Sequence, residues 1–412
     1  MLSSVESVPK WRCQTSLFAT DGIRSFAMGY FSIIFVIVVR NLGLSALGLG
    51  IVTGVSVAVG IAITHFLTIA AYRHGARIAL ILSGLLMALT GVIIALAHST
   101  LLLYAGALLG FLPPSGGMFI GALAEGVLAQ TPPGQRTKVF ARNGMIVTIM
   151  GAIGALFASF PTLLGMSEAE GLRLLIWLYS LLGVAVAAVS CSVIDLGPRK
   201  RGADLIREEA GDGTGEASFS GGSKTAINRL AALFVVDSAG SGIVAATLVI
   251  YWLRYHFNMS IVALSLLFFG MDVLAALSYP LAERISRRIG LLNTAVFTHI
   301  PSSILLMAVP FVPSAALASL LLLARALLVE MDIPTRKSYV ASIVKPEERR
   351  VAAARTSMGR QAGRAIGPAV GGYLLSGVSS VAPFLGSGIL KISYDLTLWR
   401  SFRSVSSREE HY

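Results

Sequence analysis

Charge is what this sequence has least of. Of its 412 residues 13% are charged and 55% hydrophobic, and the mean hydropathy is +0.76. A soluble domain carries roughly a quarter charged residues, so an ordinary cytosolic enzyme and a disordered chain are both excluded. Cysteine is nearly absent. Cys13 and Cys191 cannot make a disulfide framework, which excludes a small secreted scaffold, and a single pair does not imply an oxidising compartment. Catalytic signatures are missing too: no Walker lysine follows a glycine-rich turn, and there is no HExxH, CxxC pair or GxSxG elbow. ATP-driven chemistry, an intramembrane protease and an esterase therefore have no support. The expectation is a protein that is not an enzyme and uses no cofactor or metal. The net charge of +12 does not point to nucleic acid, because the basic residues form short clusters between apolar runs.

What the sequence has in quantity is long apolar runs. A membrane-crossing helix needs about 20 mostly apolar residues. On that basis twelve spans are predicted, at roughly 17–39, 46–70, 76–97, 100–128, 139–162, 171–195, 228–252, 259–282, 289–311, 313–335, 350–376 and 379–400. The chain reads as a multi-pass protein of the lipid bilayer. The N-terminus does not read as a cleavable signal peptide, because Asp21 and Arg24 interrupt the apolar run such a peptide needs. With both termini on one side, 24 lysines and arginines fall on that face, and only Arg40, Arg173 and Arg254 on the other. The positive-inside rule then puts both termini in the cytoplasm and the protein in the cytoplasmic membrane.

The longest polar stretch, 196–227, is rich in Gly, Ser and Glu and reads as a flexible linker. It divides the chain into two six-helix bundles, 1–195 and 228–412. The halves echo each other. PGQRTKVFARNGM at 133–145 aligns with PEERRVAAARTSM at 346–358, and AAYRHGAR at 70–77 aligns with LAERISRR at 281–288. The two shifts are nearly equal, as duplication of a six-span unit requires, and six spans leave both copies in the same orientation.

These motifs carry a family resemblance. Ala71, Arg73, Gly75 and Arg77 after span 2, and Leu281, Ala282, Glu283, Arg284, Arg287 and Arg288 after span 8, resemble the major facilitator loop G-x-L-A-D-R-x-G-R-R. Thr68 and Tyr72 replace two of its positions. Gly367, Pro368, Gly371, Gly372 and Leu374 in span 11 resemble the G-P-x-x-G-G-x-L pattern that the family's antiporters carry in span 5. The segment DIPTRKSYVASIVKPEER at 332–349 is similar to an exporter-like, uncharacterised branch of the superfamily. The resemblance implies an all-α fold of twelve helices in two bundles. Such a protein moves a small solute by alternating access, functions as a monomer and lines its cavity with spans 1, 4, 7 and 10.

Charged residues inside the spans are the candidate site residues, since each costs about 2.5–3.5 kcal/mol at a helix centre unless paired or hydrated. Asp237, Glu125 and Asp272 are the candidates for carrying a coupling proton; buried structural pairing is the other reading. Arg360 and Arg364 lie one turn apart on span 11 and repel unless an anion or a carboxylate sits between them. With Arg325, and with Ser115 in the FLPPSGG stretch of span 4, they are the substrate-binding candidates. The two prolines there predict a broken helix. His65 reads as a packing residue. Asp21, Glu330 and Asp332 near helix ends, with Arg73, Arg77, Glu283, Arg284, Arg287 and Arg288, are expected to form ion pairs that close one conformation.

The reading is thus a secondary transporter partnered by a small solute and a coupling ion, most plausibly the proton, with efflux slightly favoured. Its rivals are a uniporter, a sodium- or anion-coupled importer, and a non-transporting receptor or scaffold on the same fold.

Overall fold

The computed structural model describes residues 10–113, 133–193, 221–332, 336, 339 and 349–403, and among these all regular structure is helical. The helices are α1 (Lys10–Asn41), α2 (Ala46–His74), α3 (Ala76–Ala95), α4 (Thr100–Ala107), α5 (Pro133–Phe157), α6 (Phe160–Leu163) and α7 (Glu168–Ser190). There follow α8 (Gly221–Ile243), α9 (Ala246–His256), α10 (Ile261–Ile289), α11 (Leu291–Ala308), α12 (Ala315–Val329), α13 (Arg349–Tyr373) and α14 (Ala382–Phe402). Eleven predicted spans coincide with these helices. Span 4 starts as α4 and runs into 114–132, which lies outside the described residues. Seven of the segments are long and apolar enough to cross a membrane. The twelve-span all-α architecture stands.

Sequence signals fix most boundaries. Ser167, Ser260 and Ser314 each accept a backbone N–H three residues on, at the starts of α7, α10 and α12. At Ser167 the Glu170 carboxylate returns the bond to the Ser167 N–H at 3.0 Å, completing a capping box. Gly75 (φ +100°) alone separates α2 from α3, and Gly290 (φ +85°) alone separates α10 from α11. These are the equivalent loops of the two halves. Both need a left-handed backbone that a side chain resists.

Three spans are interrupted, span 5 near its end between Phe157 and Phe160. The prolines predicted a break in span 4 near 113, but α4 has already ended at Ala107. Gly110 (φ +68°) turns the chain there, pressed so close to Gly60 that a Cβ would lie 2.7 Å from its Cα. The Phe111 carbonyl, freed from any helix, accepts the buried Tyr179 hydroxyl at 2.7 Å. Span 7 is broken between Ile243 and Ala246, which hydropathy does not foretell because both sides are apolar.

The chain forms two compact units, Met1–Ile34 with Val59–Asp212, and Phe35–Ala58 with Gly213–Tyr412. Helix α8 begins at Gly221, inside the stretch read as linker; residues 196–220 lie outside the described set. In unit 1, α3 meets α7 through Gly84, Gly91 and Gly183, and Ser180 donates to the Ala88 carbonyl at 2.8 Å. Helix α1 meets α5 through Gly29, Gly151 and Gly154. In unit 2, Gly359, Gly363, Gly367 and Gly371 lay one edge of α13 on α8. Gly50 and Gly54 at the start of α2 meet Pro368 and Ala365 of the same helix. Lipid offers helices no hydrophobic gain from associating, so small residues that let backbones touch supply the packing. Leu174, Trp177, Leu181 and Val184 form an exposed apolar stripe on α7, as a lipid-facing surface requires.

Gly183→Leu forces a side chain into the α3 backbone at Ala88 and should destabilise the fold by about 1–3 kcal/mol. Thermal unfolding of the purified protein in detergent reads this as a lowered midpoint. Leu181→Ala, on the exposed stripe, should leave the midpoint nearly unchanged.

Candidate functional site

Unit 2 holds a buried charged network built from four elements. Helix α8 supplies Asp237 and, one turn on, Ser241; α11 supplies His299; α14 supplies Lys391 and Asp395, again one turn apart. Asp332 and Arg336, also four residues apart, follow α12. All of these except Ser241 and Arg336 are at most 5% exposed, and Arg336 is half-buried.

Lys391 sits at the centre. Its ammonium has three hydrogens and meets three acceptors, Ser241 Oγ at 2.7 Å, Asp237 Oδ1 at 3.1 Å and His299 Nε2 at 3.4 Å. An ammonium facing Nε2 makes that nitrogen the acceptor, so the imidazole is neutral and carries its hydrogen on Nδ1. Nδ1 then donates to Asp395, 2.8 and 3.0 Å from its two oxygens. Arg336 closes the other side, donating to Asp237 Oδ2 at 2.8 Å and pairing with Asp332 at 3.1 Å. Counted as ionised, three carboxylates thus face two cations and a neutral imidazole, a formal charge of −1 before any proton is added.

Aromatic rings and an apolar layer seal one side. The Phe234 ring carries the Arg336 guanidinium 5.1 Å from its centroid and that of Arg360 at 5.4 Å. Tyr394 packs edge-on to His299, and Phe234, Leu230, Leu292, Tyr339, Leu398 and Phe402 form the core beside it. A cavity of about 10 Å³ lies among these residues next to Arg336. That is room for one water and no more.

The structure brings some predicted residues together and separates others. Asp237 is in the network and Asp332 is at its edge. Asp272 is half-buried on α10, outside the network. Glu125 and Ser115 lie outside the described residues. Arg360 and Arg364 stand on α13 as expected, the first half-buried on Phe234 and the second exposed. Arg325, on α12, has a buried Nε with no hydrogen-bond partner among the described residues. Glu330 receives a long bond of 3.5 Å from the Tyr279 hydroxyl. Glu283 pairs with Arg287 on its own helix at 2.6 Å, and both are exposed, as are Arg77, Arg284 and Arg288. Of Arg73 only its place on α2 is described. In unit 1, Asp21 pairs with Arg24 at 2.7 Å and accepts the Asn143 amide at 3.0 Å. His65 is exposed, with its ring beside Phe66. Sequence reasoning missed His299, Arg336 and, as a site residue, Lys391. A lone histidine near the middle of an apolar span was the available signal for the first. Arg336, counted with a basic loop, gave none.

Comparison with known proteins follows the same lines. Residues 230–411 match the model of the Major Facilitator Superfamily. An uncharacterised membrane protein of Saccharomyces cerevisiae, YJR124C, is 22% identical over 97% of each chain. Among solved structures, the nucleoside transporter NupG superposes with a TM-score of 0.72 at 13% identity, covering 95% of this chain and all of the other. The xylose transporter XylE from E. coli, inward open, gives 0.70 at 13% identity over 96% of each. A bacterial homologue of the human lysosomal transporter Spinster gives 0.66 at 16%, over 95% and 96%. The protein is a multi-pass membrane protein with the major facilitator fold, and its second half carries that superfamily's sequence pattern.

Lys391→Met strands Asp237 opposite a single cation in a dry site and should cost about 3–5 kcal/mol. Adding Asp237→Asn should recover part of that loss. Unfolding midpoints of the two single variants and the double variant measure the coupling, and additive losses would show that the pair is not coupled.

Proposed function

We propose that this protein is a secondary transporter that moves a small organic solute across the cytoplasmic membrane by alternating access, works as a monomer, has both termini in the cytoplasm and couples the solute to protons. The observation that carries the proton reading is the His299–Asp395 couple inside a network of net charge −1. One bound proton makes the network neutral, which is the favoured state of a buried group of charges in a bilayer. The hydrogen-bonded His299–Asp395 couple is where that proton is held, and His299 links it to the rest of the network. Its Nε2 lies 3.9 Å from Asp237 Oδ1, so a hydrogen placed there turns toward Asp237 and competes with Lys391 for the same oxygen. Protonation therefore rearranges contacts among α8, α11 and α14 instead of adding a silent charge. The groups facing His299 are Asp395, Lys391 and Tyr394 from α14, Asp237 from α8, and Asp332 and Arg336 beyond α12.

The test is intraliposomal pH in proteoliposomes while organic anions, cations and sugars are supplied one at a time. One compound should drive proton movement, and the sign of the pH change tells symport (the interior acidifies) from antiport (the interior becomes alkaline); export is what the motif resemblance implies. His299→Gln and Asp395→Asn should cut solute-driven proton movement at least tenfold while solute exchange persists. Asp272→Asn and Glu125→Gln, run in parallel, tell whether either candidate outside the network shares the task. Gradient-driven solute uptake with no pH change would overturn proton coupling, as would wild-type proton movement in Asp395→Asn.

A further inference from the structure

Helix α13 is the least apolar of the long helices in unit 2, and its faces have different occupants. Gly359, Gly363, Gly367 and Gly371 lie on α8, while Ala365, Pro368 and Gly372 meet the first turns of α2. Met358, Ile366 and Val370 are the exposed apolar side. At 3.6 residues per turn, Arg360 and Arg364 fall between the α8 face and the α2 face, opposite the exposed apolar side. Along the helix they lie beyond Gly54–Ala365, the last α2 contact of that row. Both are near mid-length of the helix. Among the described residues neither guanidinium has a carboxylate within ion-pair distance, and Arg360 rests on the Phe234 ring beside Arg336. Two like charges one turn apart destabilise a helix, and in a membrane-spanning segment each demands a counter-charge or water.

From this we infer that Arg360 and Arg364 together bind an anionic group of the transported solute, a carboxylate or a phosphate. The inference rests on the transporter reading above. Guanidiniums suit the task because their planar forks hold carboxylate and phosphate oxygens bidentately. Phe234 orients the first of them from its buried side. The charge of the neighbouring network then links anion to proton. Without its proton the network is at −1 and attracts Arg360. With the proton bound it is neutral, and the two arginines are left to the anion. Proton and anion thus bind to the same state, and by linkage each strengthens the other.

The test uses the full-length protein purified in nanodiscs, with no gradient across it. Unfolding midpoints are compared in inorganic phosphate, benzoate and phenyl phosphate, with benzyl alcohol as a neutral isostere and chloride at equal ionic strength. At least one of the three anions should raise the midpoint above the controls. Arg360→Gln and Arg364→Gln should each abolish that rise, and Arg173→Gln, on the exposed start of α7, should keep it. Arg360→Lys, which retains the charge, serves if Arg360→Gln does not fold. Absence of a rise with all three anions would overturn the inference. So would an equal rise with benzyl alcohol, or a full rise in the variant lacking both arginines. The rise should also shrink as pH increases and the network gives up its proton. A rise that needs both arginines yet ignores pH keeps the anion site and removes the proton linkage, so the two readings fail separately.

Discussion

The Lys391 ammonium governs the second unit. It is enclosed, so water cannot solvate it, and its three hydrogens are used on Asp237 and Ser241 of α8 and His299 of α11. Apolar contacts between helices tolerate rotation about the helix axis, whereas three directed bonds from one nitrogen do not. The ammonium therefore sets which face each of three helices turns inward. It also decides the histidine tautomer, and through it the role of Asp395. Arg336 performs a lesser version of this for the segment after α12, by sharing Asp237 with Lys391.

The two units solve the same packing problem with different means. Unit 1 relies on glycine contacts and aromatic stacking, as where Phe31 lies flat on Tyr179 with centroids 4.1 Å apart. Its described buried charge is confined to Asp21 with Arg24 and Asn143. Unit 2 uses the same glycine contacts and adds the charged network. Among the described residues, the buried ionisable chemistry is thus concentrated in unit 2.

Much of this was legible in the sequence. Each span is a local property, an apolar run of sufficient length, and the shared Gly75 and Gly290 turns follow from motifs a few residues long. Asp237 was visible as well, since a carboxylate in an apolar run stands out. Its partners were not, because they depend on how helices far apart in sequence turn toward one another. His299 looked like an ordinary polar residue in a hydrophobic stretch. Arg336, close to Lys337 and Lys345, looked like one more basic loop residue. Conversely, Glu283 and Arg287 looked like partners for distant groups and pair with each other, since four residues along a helix already puts them in reach. The interruption of α8 and α9 left no mark in hydropathy for a related reason: a helix break between two apolar segments changes geometry without changing composition.

Helix α13 carries its fixed duties and its chemistry on separate strips. The glycines touch backbone and accept almost no substitution, whereas Arg360 rests on the Phe234 ring and Arg364 is exposed. Mutation is thus partitioned by azimuth. On the anion-binding proposal, a change at Arg360 or Arg364 alters recognition more than the fold, and a change at the glycines does the reverse.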